Sequence, residues 1–188
     1  FRAFGPKRLI FSALESSNSV LAADIDGDGD KDVLSALSWY TSIVWYENRN
    51  GAGRFGPQRL VASSVGSFVS LSAVDMDGDG DLDVLSASQY PDTIAWYENL
   101  GGSGTFGPKR EISSSTYSVI EALAADLDGD GDLDVLSLSG YGRTIAWYEN
   151  LDGAGHFGPQ RTIAAPENWW ISVFAADIDG DGDLDILS

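Results

Sequence analysis

The chain has 188 residues, with 29 acidic against 11 basic side chains, a formal net charge of -18 and a pI near 4.1. Such a surface repels nucleic acid and anionic membranes, so no nucleic-acid partner is expected, and no apolar run approaches the roughly 18 to 20 residues that span a bilayer. Hydrophobic residues at 43% and aromatics at 11% are ample for a packed core, and with no cysteine there is neither a disulfide framework nor a thiolate metal site.

In chain order, the N-terminal "FRAFGPKRLI" lacks a start Met and a signal-peptide pattern, so the sequence reads as processed, trimmed or incompletely represented. "FGP" opens at Phe4, an acidic cluster "DIDGDGDKD" runs from Asp24 to Asp32, and "WYEN" opens at Trp45. All three markers then return at a step of 51: "FGP" at Phe55, Phe106 and Phe157, the acidic cluster at Asp75, Asp126 and Asp177, and "WYEN" at Trp96 and Trp147. Three independent markers with one period define a repeat architecture. The units are 1–51, 52–102, 103–153 and 154–188, the last lacking its "TIAWYEN" segment.

The second unit serves as the guide to the strands. "VSLSAV" at 69–74, "DVLSAS" at 83–88, "TIAWYEN" at 93–99 and "FGPKREI" at 106–112 are short, rich in Val, Ile, Leu, Trp and Tyr, and bounded by turn residues. The Gly-rich "LGGSG" at 100–104 makes a hairpin loop between the third and fourth strands, and no segment carries a helical period of useful length. Four antiparallel strands in a repeat of about 40 to 50 residues is the pattern of propeller blades, because one small sheet cannot bury both its faces alone. The expected fold is all-β, a single β-propeller segment over 1–188 with three complete blades and one partial blade. A parallel β-helix is the rival, with rungs usually shorter than this period.

Numbered from its first aspartate, each acidic loop reads D-x-D-x-D-G-x-x-D, with carboxylates at positions 1, 3, 5, 7 and 9. The sets are Asp24, Asp26, Asp28, Asp30 and Asp32; Asp75, Asp77, Asp79, Asp81 and Asp83; Asp126, Asp128, Asp130, Asp132 and Asp134; and Asp177, Asp179, Asp181, Asp183 and Asp185. Ca²⁺ takes six to eight hard oxygens at about 2.3–2.6 Å, and a tight loop with alternating aspartates turns every second side chain inward while Gly permits the bend. Position 7 is expected to give its backbone carbonyl and the other four their side chains, for about one Ca²⁺ per loop. Carboxylates about 4 Å apart repel by roughly 1 to 4 kcal/mol per pair, so a metal-free loop opens or takes up protons. A solvated acidic turn is the plain alternative, and four copies in one register argue against it. Mg²⁺ prefers fewer carboxylates and more water, and Zn²⁺ lacks its Cys and His. An EF-hand is excluded because position 12 is Ser35, Ser86, Ser137 or Ser188 and a strand, not a helix, follows.

"FGP", then "DxDGDGDxDVLS", then "IAWYEN" resembles the FG-GAP and VCBS repeats of integrin-α-like β-propellers, over essentially the whole chain. The resemblance implies Ca²⁺ in the loop between a blade's first and second strands, placement at the cell surface or outside the cell, and adhesion or ligand binding. Such propellers commonly have seven blades, so three readings stand: a segment of a longer propeller, which is favoured, a four-bladed ring lacking one strand, or chains that complete each other.

In a propeller the loops between first and second and between third and fourth strands share one face, so acidic loops and Gly-rich hairpins are expected together. The opposite face carries the segments that differ most between units, among them "SALSWYTS", "SASQYPDT" and "SLSGYGRT". Trp39, Tyr90 and Tyr141 hold equivalent positions there, and Phe68, Tyr117, Trp169 and Trp170 cluster between blades; these rings either pack between blades or meet a protein or glycan partner. Trp45, Trp96 and Trp147 are read as structural, and Arg8, Arg59, Arg110 and Arg161 as structural hydrogen-bonding or ion-pairing groups. The sole histidine, His156, lies in a hairpin where other units have Arg54 or Thr105, and no Ser/His/Asp set is evident, so no catalytic activity is expected. The leading expectation is an extracellular Ca²⁺-stabilised module for adhesion, protein–protein interaction or assembly. The alternative is a carbohydrate-binding or accessory domain of a secreted polysaccharide-active enzyme.

Overall fold

A computed structural model describes residues 9–10, 16–37, 41–165 and 172–188. Blade 1 consists of β1 (Ser17–Ala23), β2 (Asp32–Leu37), β3 (Ser42–Tyr46) and β4 (Arg59–Ala62). Blade 2 consists of β5 (Ser67–Val74), β6 (Asp83–Gln89), β7 (Thr93–Tyr97) and β8 (Arg110–Ser113), and blade 3 of β9 (Val119–Ala125), β10 (Asp134–Ser139), β11 (Thr144–Tyr148) and β12 (Arg161–Ala164). A two-stranded partial sheet, β13 (Phe174–Ala176) and β14 (Asp185–Leu187), follows. Each four-stranded sheet runs in sequence order with antiparallel neighbours. The fold is therefore all-β and built of propeller-type blades, and the antiparallel pairing rules out the parallel β-helix. Among the described residues no helix is long and apolar enough to cross a membrane.

Strand bounds differ from the sequence expectation at the blade's outer edge. β7 stops at Tyr97, and the "FGP" segment does not extend β8: Phe106 forms only an isolated bridge with Asn99, and regular pairing resumes at Arg110. Pro108 has no N–H to give to a ladder, and a bulge between Ile94 and Ala95 shifts the register. The Gly107 N–H is still used, donating to the Glu98 carbonyl at 2.8 Å.

The inner strands read as near-continuous apolar runs because both their faces are covered: β3 and β7 are buried at every residue. Neighbouring blades supply those covers. Leu34, Ile43 and Trp45 of blade 1 share a core with Leu71, Val84 and Tyr97 of blade 2, and Leu85, Ile94 and Trp96 of blade 2 share the next with Val119, Val135 and Tyr148 of blade 3. Leu136, Leu138 and Ile145 then meet Val173 and Ile186 beyond blade 3. Successive strand residues point to opposite faces, so the Trp-Tyr pair of "WYEN" serves two cores. In blade 2, Trp96 faces the following blade and Tyr97 the preceding one.

The indoles bear out the structural reading: Trp45 and Trp96 are fully buried. The arginines stack on them from the adjacent strand, with the guanidinium carbon of Arg59, Arg110 and Arg161 at 4.8, 4.7 and 4.7 Å from the ring centroids of Trp45, Trp96 and Trp147. The glutamate of "WYEN" pairs with the same arginine, as in Glu98 with Arg110 and Glu149 with Arg161. Arg8 lies outside the described residues.

Candidate metal centre

Each acidic loop joins a blade's first strand to its second. In blade 1 it leaves β1 at Ala23 and re-enters the sheet at Asp32, the first residue of β2. Gly27 and Gly29 hold φ of 72° and 90°, which side-chain-bearing residues rarely adopt and which winds the loop tightly. Asp24 accepts the Gly29 N–H at 3.0 Å, so the first aspartate caps the bend, and Asp28 accepts the Asp30 N–H at 2.8 Å. Asp32 closes the loop: its Oδ2 accepts the Ile25 N–H at 3.0 Å and its Oδ1 the Asn48 N–H at 2.7 Å. Asp83 does the same with Met76 and Asn99, and Asp134 with Leu127 and Asn150.

This winding gathers carboxylate oxygens within 4.8 Å of one another from Asp24, Asp26 and Asp32; from Asp75, Asp77 and Asp83; from Asp126, Asp128 and Asp130; and from Asp177, Asp179 and Asp185. The third group takes its position-5 aspartate in place of Asp134. Asp28, Asp79 and Asp181 lie outside the groups of their own loops and hold backbone N–H groups at 2.8, 2.9 and 3.0 Å. The position-7 aspartates Asp30, Asp81 and Asp132 turn toward the hairpin of their own blade, where a Cβ on Gly51, Gly102 or Gly153 would collide with the carboxylate. What such a residue can offer inward is its backbone carbonyl. Asp183, the position-7 residue of the fourth loop, has its N–H held by Asp181 and lies outside the cluster formed by Asp177, Asp179 and Asp185.

Asp24 Oδ1, Asp26 Oδ1 and Asp77 Oδ1 are buried atoms with no hydrogen-bond partner. A desolvated carboxylate oxygen without a donor is costly, and a hard cation is the partner that suits several such oxygens converging on one point. Electrostatics agree. Burial raises the Asp26 carboxyl above its ordinary value, with the charges of Asp32 and Asp28 adding to the rise. Burial followed by Asp79 and Glu98 does the same for Asp77. Burial pushes Asp83 up to about 6 despite its two backbone donors, and also raises Asp32 and Asp134. The residues therefore fit a Ca²⁺ ion: loop carboxylates would hold it, its charge would offset their repulsion, and position 7 has a carbonyl available.

The next blade's hairpin lies against the first and second loops. Asn99 Nδ2 donates to the Ile25 carbonyl at 2.7 Å and Asn150 Nδ2 to the Met76 carbonyl at 3.2 Å. These asparagines did not stand out as site residues in the sequence; their recurrence as the last letter of "WYEN" is the signal that marks them.

Among the candidate partner-contacting rings, Tyr90 is 74% exposed and Tyr141 62%, so neither packs between blades. Tyr117 is 69% exposed and stands 6.3 Å from Tyr141 between ring centroids, tilted by 58°. Trp39, Trp169 and Trp170 lie outside the described residues. His156 is on the hairpin surface, with Nδ1 2.8 Å from Asp152.

The FG-GAP-like repeat profile matches residues 24–86, 75–137 and 126–188. A chain in the solved structure of the Photorhabdus luminescens Tc holotoxin pore is similar at 20% identity and a TM-score of 0.54, covering 89% of this chain. The match spans 8% of that chain's own length and speaks to the fold alone. No curated protein matches the sequence.

Proposed function

Since the chain belongs to the FG-GAP-like repeat family, we propose that it is an extracellular, non-catalytic β-propeller module for adhesion, protein–protein interaction or assembly, stabilised by a structural Ca²⁺ in each acidic loop. The observation that carries the calcium reading is the set of orphaned buried oxygens on Asp24, Asp26 and Asp77, each in a cluster of three carboxylates. Extracellular placement suits the cation, because Ca²⁺-binding modules outside the cell commonly work at a Kd of about 10⁻⁴–10⁻³ M. A binding role in place of catalysis is supported by the surface position of the sole histidine and by carboxylates already engaged in loop closure.

The test is a thermal melt of the full chain after chelation and after Ca²⁺ is restored, with elemental analysis of the native protein. A ligand that binds only the folded state raises its stability, by about 2.7 kcal/mol at a hundredfold excess over Kd. The expected result is a drop in melting temperature on chelation that Ca²⁺ reverses. An unchanged curve together with no bound metal overturns the reading.

The Tyr117–Tyr141 pair favours a second reading, a carbohydrate-binding module, because exposed, tilted tyrosines offer apolar faces on which a neutral sugar ring can stack. A glycan array with the wild-type chain and Tyr141→Ala tests it. Loss of one saccharide class on substitution supports it, and an array without signal removes it.

A further inference from the structure

The acidic loops of blades 1 to 3 are joined end to end by hydrogen bonds. Asp32 accepts the Ile25 N–H at 3.0 Å; the carbonyl of that same Ile25 accepts Asn99 Nδ2 at 2.7 Å; and the Asn99 N–H donates to Asp83 at 2.8 Å. Asp83 in turn accepts the Met76 N–H at 3.0 Å, the Met76 carbonyl accepts Asn150 Nδ2 at 3.2 Å, and the Asn150 N–H donates to Asp134 at 2.8 Å. Ile25 and Met76 are 1% exposed and Asn99 and Asn150 0% and 1%, so water does not compete for these bonds. Ile25 lies between Asp24 and Asp26, two members of the first carboxylate cluster, and Met76 lies between Asp75 and Asp77 of the second.

We infer that Asn99 and Asn150 couple the cation occupancy of neighbouring acidic loops, so that ions fill the array cooperatively. This rests on the calcium reading above. An ion drawing Asp24 and Asp26 together fixes the intervening Ile25 peptide, and that peptide fixes the Asn99 side chain. The Asn99 N–H then holds Asp83, a member of the second cluster; the Asn150 N–H holds Asp134, which stands outside the third cluster and meets it through the Leu127 N–H, between Asp126 and Asp128. The ordering cost of the shared groups is met by the first ion and spared for the second, which is positive cooperativity without a change of shape. Repulsion between neighbouring ions opposes this coupling and is screened by salt, so the titration is run at an ionic strength of about 0.15 M. The asparagines are positioning residues: each side-chain amide donates to the loop backbone, and its Oδ1 accepts the N–H of Gly104 or Gly155.

The test titrates Ca²⁺ into the metal-stripped full chain and reads hydrogen exchange separately over 24–32, 75–83 and 126–134, with calorimetry in parallel. Wild-type protection is expected to rise in the three loops together and more steeply than independent sites allow. Asp77→Asn, which disables the second cluster and leaves both asparagines intact, is expected to raise the Ca²⁺ concentration for half-protection in the first and third loops by about fivefold. Asn99→Ala is expected to free the first loop from that effect while the third still responds. First and third loops that protect at unchanged Ca²⁺ in Asp77→Asn overturn the coupling even if Asn99→Ala fails to fold. If every loop binds calcium but independently, the coupling alone falls; if no loop gains protection with Ca²⁺, the calcium reading falls with it.

Discussion

Trp45 donates its indole N–H to the carbonyl of Gly104, 59 residues later in the next blade, at 3.2 Å. The ring lies flush against that glycine, and a Cβ at Gly104 would collide with it. Gly104 also holds a φ of 67°, and Gly155 repeats both features against Trp96 with a φ of 73°. The indole and the hairpin glycine thus form a lock between consecutive blades.

Gly104→Ala is accordingly expected to destabilise the chain by about 2–4 kcal/mol, adding backbone strain to overpacking. Gly155→Ala should behave alike. Urea denaturation read by tryptophan fluorescence measures both, and a cost below about 0.5 kcal/mol would show that the ring has room to move.

The Arg110 guanidinium stacks on Trp96 and pairs with Glu98, but Arg110 is partly exposed. Arg110→Ala is expected to cost about 1 kcal/mol, mostly the lost stacking, because exposed ion pairs contribute little. Arg110→Lys keeps the charge without the planar face and should recover less than half. Equal stability of the Lys variant and the wild type would assign the effect to the ion pair.

Stability of the metal-free chain should fall as pH rises. Burial holds Asp83 at about 6 against an ordinary 3.8, so the fold favours its neutral form. The stabilising contribution is full below about 4 and is lost as pH climbs through about 6; Asp32 and Asp134 shift in the same direction. Melts of metal-stripped protein between pH 4 and 7 should show a declining midpoint. Saturating Ca²⁺ should reverse the trend, since the ion needs ionised carboxylates. A flat metal-free profile contradicts the burial of these groups.

Tyr117→Ala with Tyr141→Ala should leave the melting midpoint nearly unchanged, because both rings are largely exposed. The same pair is expected to abolish binding if the opposite face reads a glycan, so thermal scans and array signal together separate structure from recognition. A loss of several kcal/mol would instead assign the rings to packing.

Much of the site was legible beforehand because its determinants are local. The alternation of Asp and Gly within nine residues sets loop winding and charge, and the 51-residue step repeats it without regard to what lies across the fold. Local pattern was a poorer guide to the blade edge: "FGP" has the composition of a strand start, yet Pro108 and the bulge at Ile94 confine pairing to Arg110–Ser113. It treated positions 1, 3, 5 and 9 alike as side-chain ligands and did not distinguish the three carboxylates that converge in each loop. Position 9 doubles as the loop's closing clasp, and position 7 turns toward a glycine of its hairpin in the first three loops, choices that depend on chain outside the loop.

By itself the sequence determined an all-β repeat of short strands and four acidic loops of hard oxygen donors, since strand propensity, turn chemistry and charge spacing act within a few residues. Only the tertiary structure decided that Trp96 faces the following blade and Tyr97 the preceding one, that Tyr90 and Tyr141 face solvent, and that Asn99 reaches Ile25 across 74 residues. Such contacts join different blades, and a periodic sequence looks the same whichever neighbour a side chain meets. Packing two sheets face to face fixes the direction, because buried donors such as Asn99 Nδ2 and Trp45 Nε1 then meet their acceptors on the blade beside them.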